Sequence, residues 1–484
     1  MEQRRRIERP ERAKRRDQKQ RKRLSTARRN AFTTDTDIIS DLPDSLLSHI
    51  LSFLPTRDSV ATSILSSRWR PLWTLVPALH LDQRKLTENR NYSFADIVSG
   101  IWTVRDAISN PMPLHKLSIY WYQDCLPSDV NTWLRATNLR DLQELYLYIF
   151  TDVHQPLELP RSIYFSTALV VLKLISSILL DPPPACVLPC LRILVLTRVK
   201  FANRDSLSTF LTACPVLLTL SLTMYDVNFE HWDEFNVVVL VPTLKTLHLH
   251  WHVLSSSIKF QINTPALEYF NFRGFLNGDN VVENLPNVVE CVLQFEQCVL
   301  IDFEDYAKRL RDFMGPLCNV ISMEFSTTTA QILCRDSNRE DGHTFYNLSS
   351  LKLFGGSSSE WYAWHEVRLL LFRAPKLQML AFEWKHLLGL NIYKPNPCLE
   401  EPLDVPECLS SHLTTCHYKG FEGKEEEMEL VRQILKAAKV LKLMKITVTS
   451  YLGLKLKLLI REKLEKFQRS SQSCEIAFEE LRFT

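Results

Sequence analysis

A short apolar pattern recurs along most of this 484-residue chain. Each copy has an apolar residue, two variable residues, a second apolar residue, one variable residue and a third apolar residue. A unit of this kind cannot bury its apolar face alone, whereas stacked units share one core. The pattern therefore predicts a curved solenoid in which each unit adds one short strand to a parallel sheet. The copies lie 21–32 residues apart and begin at Leu114, Leu142, Leu169, Leu191, Leu217, Leu244, Leu267, Val288, Val320, Leu348 and Leu377.

Proline recurs in phase with this pattern, two residues ahead of the first apolar position. Because proline fixes φ and lacks an N–H donor, we expect it at the start of each short strand and not in its middle. The repeat length and the prolines together indicate leucine-rich repeats over residues 100–395. The prolines in phase are Pro189, Pro215, Pro242, Pro265, Pro286 and Pro375.

The residues between the inward positions are expected on the concave face of the sheet, because side chains alternate along a strand. That face is the predicted site of partner binding, with Tyr146, Tyr148, His248 and His250 as candidate binding residues. The same face is predicted to carry Lys173, Ser221, Asn271, Glu324 and Lys352.

Three alternating histidines, His248, His250 and His252, leave three interpretations open: a metal site, a pH-sensitive patch or ordinary surface. Alternate residues of a strand are about 6.5 Å apart. That separation is wide for one tetrahedral ion, so we predict no metal there.

The first 30 residues carry 14 Lys/Arg and 4 Asp/Glu, a net charge of +10, whereas the remainder of the chain is net −7. This basic head, residues 1–34, is nearly free of apolar residues and is expected to be disordered. It is interpreted as a solvated tail, a nuclear-import signal or a nucleic-acid contact. Residues 1–30 lack aromatic side chains for base stacking, which disfavours nucleic acid.

Composition restricts the chemistry of the chain. The twelve cysteines are scattered and follow no apolar signal segment, so we expect reduced, buried thiols. Cys186 and Cys190 lack a second Cys/His pair at zinc-site spacing. No run of about 18 apolar residues suggests a membrane span. We therefore predict no metal, no cofactor and no membrane partner, and a location in the nucleus and/or cytoplasm.

A helical module is predicted at residues 35–83, between the head and the repeats. Asp41 can cap a first helix that has Pro43 in its first turn, and Pro55 ends it. A second helix is predicted over Asp58–Leu65 and a third from Ser67 to about Leu75. The apolar residues of the first helix fall at helical spacing: Leu42, Leu46, Leu47, Ile50, Leu51 and Leu54.

The order of residues in this module is specific. It reads Ile39, Leu42-Pro43, Leu46, Ile50-Leu-Ser-Phe-Leu-Pro-Thr-Arg-Asp58, Ala61-Thr-Ser63, Leu65-Ser-Ser-Arg-Trp-Arg70 and Leu72-Trp73. This run resembles an F-box of the plant type, although the lysine that often precedes the Arg-Trp pair is here Ser67. The resemblance implies binding to a Skp-type linker protein, which joins a cullin and a RING subunit in an SCF ubiquitin ligase. The implied contact residues are Leu42, Pro43, Leu46, Ile50, Leu51, Leu54, Pro55, Leu65 and Trp69.

The C-terminal region, residues 400–480, departs from the repeat pattern. A helix is predicted from about Glu425 to Lys439, a strand over 441–448, a helix over 455–469 and a strand over 474–478. The region resembles the FBD domain of plant F-box proteins, without the proline that the family often has in its last loop. We expect it to continue and cap the solenoid. The resemblance is carried by Val405-Pro-Glu-Cys-Leu409, Gly420-Phe-Glu-Gly423, Leu435, Ser470-Ser471, Ser473-Cys474 and Phe478.

These features predict an α/β chain: a three-helix F-box, a leucine-rich-repeat solenoid with a parallel sheet, and a C-terminal FBD α/β region. No Gly-x-Ser-x-Gly, Walker A or His-Glu-x-x-His motif occurs, so no catalytic residue is predicted. The expected function is a non-catalytic substrate adaptor of an SCF-type ligase whose repeats bind an unknown client protein. The alternative is a nuclear leucine-rich-repeat interaction scaffold that is not engaged in a ligase.

If the basic head is a nuclear-import signal, residues 1–30 should be sufficient to carry a fused reporter protein into the nucleus. A cytosolic fluorescent protein fused to these residues should accumulate in the nucleus, because import depends on their basic clusters. The same fusion with its Lys and Arg replaced by Gln is the control. An unchanged distribution of the basic fusion would contradict the interpretation.

Overall fold

The computed structural model describes residues 39, 41–87, 92–108, 112–123, 126–137, 139–150, 155–225, 234–252, 257–276, 278, 280–283, 285–296, 301–317, 319–335, 343–355, 364–384 and 405–480. The predicted disordered head, residues 1–34, lies outside them. The chain forms two compact units. The first takes in residues up to Leu81 and Thr103–Met112, and the second takes in Asp82–Trp102 and Pro113–Thr484.

The first unit is built from short helices. Helix α1 spans Asp44–Leu51 and α2 spans Thr56–Ala61, and each has a proline, Pro43 or Pro55, as its N-cap residue. Two 3-10 helices follow, Thr62–Ile64 and Leu72–Leu75, and then strand β1, Ala78–Asp82.

The helix boundaries differ from the prediction. Asp41 does not cap α1, because Pro43 has extended backbone angles and the helix therefore begins at Asp44. The predicted third helix is also wrong in its first part, where residues 67–71 form turns. Pro71 explains this, since proline lacks the N–H of a helical bond and disfavours helix at the preceding residue.

The second unit begins with α3, Gln83–Leu86, and most of α4, Phe94–Asp106. Its main sheet has the order β2-β3-β5-β7-β9-β11-β13-β15-β16-β17-β18-β19-β20-β21. The neighbouring strands pair in parallel. The bounds are Lys116–Trp121, Glu144–Ile149, Val171–Ser176, Ile193–Thr197, Thr219–Tyr225, Thr246–His252, Tyr269–Gly274, Glu290–Phe295, Ser322–Ser326, Ser350–Gly355, Met379–Trp384, Thr415–Phe421, Leu443–Val448 and Glu475–Glu480.

The segments that return between these strands take two forms. Some are short strands that form two further parallel sheets, β4-β6-β8 and β10-β12-β14. These strands are Leu157–Glu158, Ile178–Leu180, Lys200–Phe201, Glu234–Val239, Ser257–Asn263 and Val281–Glu283. The others are helices, α5 to α12 in chain order: Pro127–Ala136, Ser206–Thr212, Phe303–Met314, Thr327–Arg335, Trp364–Phe372, Glu407–Ser411, Glu425–Ala437 and Leu454–Glu465. Of the described helices, none has the length and apolarity to cross a membrane.

The core of the second unit lies between the main sheet and the return segments. The repeated apolar positions point inward in register; Leu220, Leu247 and Phe270, for example, are paired neighbours and fully buried. The short-strand sheet also packs on this side, where the Phe260 ring lies 5.7 Å from Trp251 and 5.4 Å from Phe272. The predicted leucine-rich-repeat solenoid with a parallel sheet is thus confirmed.

The in-phase prolines were predicted to start the strands, and this prediction is wrong. Each of them occupies a turn ahead of its strand. At Pro189, the Leu191 N–H donates to the Leu188 carbonyl, so proline is the second residue of a four-residue turn. The same bond recurs around Pro215, Pro242, Pro265, Pro286 and Pro375. Proline suits this position because its fixed φ matches the second residue of type I and II turns. Each turn brings the first apolar residue of its repeat into the core.

The C-terminal region continues the same sheet, as predicted. Strand β19 pairs with β18, the last repeat strand, and β20 and β21 follow in parallel. Strand β21 is the last in the order and carries Glu475, Glu479 and Glu480. Charged side chains on an edge strand discourage pairing with another chain.

A buried polar chain joins the last repeat strand to this region. Trp384 donates its indole N–H to the Tyr418 hydroxyl at 2.9 Å, and Tyr418 in turn donates to Glu427 at 3.3 Å. Glu427, in the first turn of α11, also accepts the backbone N–H of Glu422 at 3.1 Å and of Lys424 at 2.8 Å. Its side chain is 1% exposed, and this burial raises the pKa of Glu427 to about 7 despite the backbone donors.

This pKa predicts a specific pH dependence of stability. Because folding raises the pKa of Glu427 from about 4.3 to about 7, stability should fall as pH rises through that interval. Glu427→Gln cannot ionise, so between pH 5 and 8 the variant should gain on the order of 1–3 kcal/mol relative to wild type.

Thermal melts at pH 5 and pH 8 would measure this difference. The exposed neighbour Glu426→Gln is the matched control and should follow wild type at both values. The account of Glu427 is wrong if its variant and wild type melt with the same pH profile.

Candidate partner-binding surfaces

The first unit has a small apolar core that holds its helices together. Leu51 is 1% exposed and Trp69 is 6% exposed, and both pack in this core with Leu47, Leu72 and Val76. Leu42 packs against the same cluster while remaining partly exposed. Leu51 and Trp69 were predicted as contact residues. The structure places both side chains in the core of the module, and their part in linker binding stays a prediction.

The first helix also presents an apolar stripe to solvent. Leu46, Ile50 and Leu54 are about half exposed, and Phe53 is 75% exposed. A spacing of four residues puts Leu46 and Ile50 on one side of the helix, and Phe53 follows in the turn after its last residue, Leu51. The sequence predicted one apolar face, whereas the structure divides it into an inward row, Leu47 and Leu51, and this outward row.

A second exposed apolar group follows α2. Ile64 is 88% exposed, and Leu65, predicted as a contact residue, is also well exposed. Pro43 is exposed and Pro55 is half buried. Phe53 and Ile64 were missed by the sequence analysis. Phe53 could have been found from its position seven residues after Leu46, and Ile64 from its place beside Leu65 in the predicted second helix.

Polar contacts hold this surface in shape. The Arg68 guanidinium pairs with Asp44 at 2.7 Å and donates to the Leu42 carbonyl, which ties the start of α1 to the segment that carries Trp69. Arg105 is buried and donates to the carbonyls of Thr74 and Val76 at 2.9 and 3.2 Å. Burial lowers the pKa of Arg105. The contact of Arg105 had no signal in the sequence, because the two segments are far apart along the chain.

The second unit offers a different surface, the sheet face opposite the buried leucines, here called the open face. Tyr146, Tyr148, His248 and His250 lie on it, half buried, as predicted. Paired registers align Tyr146 with Lys173, His248 with Asn271, and Glu324 with Lys352. Asn271 is the exception, at 7% exposed.

Two histidines of the open face, His248 and His250, lie in surroundings that disfavour their charged form. Burial lowers the pKa of His248 and, with the nearby Arg273 charge, lowers that of His250 to about 4. No group of three or more His, Cys, Asp or Glu placed to hold a metal occurs in the described part of the chain. The described cysteines are free, and all but Cys190 are buried.

Comparison with known proteins assigns the chain to a family. The F-box domain matches residues 39–80, the leucine-rich repeats of FBD-associated F-box protein At5g56370 match residues 130–280, and the FBD domain matches residues 400–446. The putative FBD-associated F-box protein At3g50710 of Arabidopsis thaliana is 31% identical over 86% of this chain and 93% of its own length. The chain belongs to the F-box/FBD/LRR-repeat family.

Other relatives also match over most of their own length and most of this chain. The A. thaliana F-box/FBD/LRR-repeat protein At4g26340 is 31% identical over 84% of this chain and 91% of its own length. The FBD-associated F-box protein At3g52670 is 30% identical over 93% of this chain and 99% of its own. The first unit therefore contains the F-box, and the open face belongs to the repeats and the FBD domain. The residue bounds predicted for these domains, 35–83, 100–395 and 400–480, stay predictions.

The division of the F-box surface into core and exposed rows predicts unequal effects of neighbouring substitutions. Leu51→Ala leaves a cavity among Leu47, Trp69 and Leu72 and should cost about 2–4 kcal/mol. Ile50→Ala removes an exposed side chain and should cost less than about 1 kcal/mol.

Amide hydrogen exchange over residues 44–76 of the full chain would measure both. Leu51→Ala should speed exchange through the whole F-box and Ile50→Ala should not. Equal effects would contradict the assignment of these two side chains to core and surface.

Proposed function

We propose that this F-box/FBD/LRR-repeat protein is a substrate-recognition adaptor of an SCF-type ubiquitin ligase. The F-box binds a Skp-type linker, and through it a cullin and a RING subunit, while the repeats bind a client protein. The adaptor then promotes ubiquitin transfer by holding the client near the conjugating enzyme, because proximity alone raises the effective concentration of the reacting groups.

The observation that carries this proposal is the apolar surface of the F-box. A monomeric soluble protein exposes single apolar side chains but rarely several together, and such groups mark interaction sites. Here Leu46 and Ile50 share one side of an eight-residue helix whose other side is filled by its own core, and Phe53 is exposed in the turn that follows the helix. This stripe fits an apolar partner surface.

The buried cysteines of the described residues are poorly suited to a transfer reaction. Burial raises the pKa of Cys186 to about 11 and that of Cys214 and Cys408 to about 12. A thiol that stays protonated is a poor nucleophile. The proposal therefore places the covalent steps on the partners.

The alternative of a nuclear scaffold outside any ligase rests on the basic head, which lies outside the described residues. Import through residues 1–34, with a nuclear and/or cytoplasmic location, is proposed as a separate property. It is compatible with either function and decides neither.

The proposal predicts that the full chain forms a stable complex with a Skp-type linker. Ile50→Asp and Phe53→Asp put a charge into the apolar stripe and should weaken that complex at least about tenfold, as for a buried interface residue. Leu458→Asp, at a 54% exposed leucine of α12, is the matched control and should bind as wild type does.

Isothermal titration of the purified chain with a Skp-type linker of A. thaliana, the organism of its relatives, would measure the affinities. Absence of any complex with wild type would end the ligase proposal in favour of the scaffold. A complex that tolerates Ile50→Asp and Phe53→Asp would contradict the assigned surface.

A further inference from the structure

The first part of the open face carries a concentration of aromatic side chains. Tyr120 of β2 stacks on Tyr148 of β3, with ring centroids 6.0 Å apart. Tyr148 also contacts Tyr122 at 5.2 Å and Phe150 at 5.3 Å. All four rings are half buried and remain accessible from the open face. The next strands have Ile175, Thr197 and Thr223 in the row of Tyr120 and Tyr148, so the cluster ends after β3.

Cations accompany these rings. Arg84 lies over the Tyr122 ring at 3.9 Å, and Lys116 and Lys173 lie over the Tyr146 ring at 4.9 Å. The Gln83 side chain accepts the N–H of Tyr122 at 2.8 Å, which fixes the start of α3, and with it Arg84, against the end of β2. The aromatic cluster is thus bordered by positive charge, and the Gln83 contact positions the helix that carries Arg84.

The cations of this region are incompletely neutralised. Lys116 pairs with Glu144 at 2.8 Å, and Glu144 also accepts the Tyr146 hydroxyl at 2.9 Å. Among the described residues, however, no carboxylate lies within ion-pair distance of Arg84 or Lys173. Each lies over a ring face instead, and Lys173 interacts with Glu144 only beyond ion-pair distance.

A further cation without a carboxylate at ion-pair distance lies on a later strand of the open face. Arg273 of β13 has His250 and Gln294 as its strand neighbours, and no carboxylate of the described residues pairs with it. His250 is neutral at neutral pH because of burial and the Arg273 charge. The Arg273 side chain is half buried, and its Nε has no hydrogen-bond partner among the described residues.

In the last part of the open face, on strands β17 to β20, the lysines are paired with carboxylates. Lys352 lies 2.7 Å from Glu383 and 3.3 Å from Glu324. Lys419 lies 2.7 Å from the same Glu383, and Lys445 lies 2.8 Å from Glu479. The two neighbouring lysines lower the pKa of Glu383 to about 2, so this network stays ionised and matched. Unlike these lysines, Arg84, Lys173 and Arg273 have no carboxylate at ion-pair distance among the described residues, and they lie along the part of the face from β2 to β13.

From this asymmetry we propose that strands β2–β13 of the open face bind an acidic client segment that carries an aromatic or large apolar anchor. The anchor packs on the rings around Tyr148, and the carboxylates meet Arg84, Lys173 and Arg273. This inference rests on the proposed function, since it names the class of client that the repeats would select. Tyrosine and arginine are the side chains that most often dominate binding energy at protein interfaces.

Cross-strand stabilisation accounts for the rings alone but not for the cations. Aromatic pairs directly opposite each other stabilise a sheet, so Tyr120 and Tyr148 would be explained without a ligand. Three cations without carboxylate partners on one face add no such stability. Their effect is to attract negative charge, and the attraction weakens with salt.

Three fluorescein-labelled peptides of twelve residues test the proposal against the full chain. One combines glutamates with two tyrosines, one has the same glutamates with serine in place of tyrosine, and one has lysines with the two tyrosines. Fluorescence anisotropy should show the acidic tyrosine peptide binding tightest, and each of the others at least about tenfold more weakly. Raising the salt concentration should lower the affinity of the acidic tyrosine peptide.

Variants locate the binding. Lys173→Glu combined with Arg273→Glu should reduce the affinity for the acidic tyrosine peptide at least about tenfold. Lys445→Glu, on the paired part of the same face, is the matched control and should stay within about twofold of wild type. Thermal melts of each variant establish that it is folded.

The proposal is overturned if the lysine peptide binds as tightly as the acidic one, if no peptide binds, or if the double reversal leaves the affinity unchanged. Its failure is distinguishable from that of the ligase role, because linker binding is measured on the same proteins. Ile50→Asp should lose linker binding and keep peptide binding. The Lys173→Glu and Arg273→Glu double variant should lose peptide binding and keep linker binding.

Discussion

Burial of one repeated row of side chains governs the second unit. Each strand of the main sheet contributes inward residues at equivalent register positions, so one apolar side chain meets another across the strand pair. A parallel sheet of separate short strands has no hairpins to fix its register, and this shared core does so instead. Because the inward row carries the fold, the outward row is free to vary, and the open face can therefore differ in character from one part to another.

The F-box uses a smaller version of the same division. Its first helix places Leu47 and Leu51 inward and Leu46 and Ile50 outward. A unit with so few core residues has little surplus stability, and an exposed apolar stripe adds no stability to the free protein. The arrangement is understandable for a module whose stripe is covered by a partner. The adaptor function proposed here follows from that feature taken together with the family to which the chain belongs.

The sequence predicted the repeats and the strand faces, because hydrophobic periodicity reports burial directly. The continuation of the sheet into the FBD domain was expected because the end of a repeat stack needs to be covered. It failed where single residues override periodicity. Pro43 moved the start of the first helix, Pro71 broke the third, and the in-phase prolines occupy turns ahead of the strands. Contacts between distant residues were also beyond it. The polar chain from Trp384 to Glu427 joins segments with no common motif, and the charge asymmetry of the open face required knowing which lysines meet which carboxylates.

The central claim is that the protein binds two partners through two separate surfaces. Hydrogen–deuterium exchange of the full chain, alone and with a saturating Skp-type linker, tests it most directly. The account predicts slower exchange within residues 42–65 and unchanged exchange across the strands of the open face. Unchanged exchange within residues 42–65, or protection confined to the sheet, would contradict it.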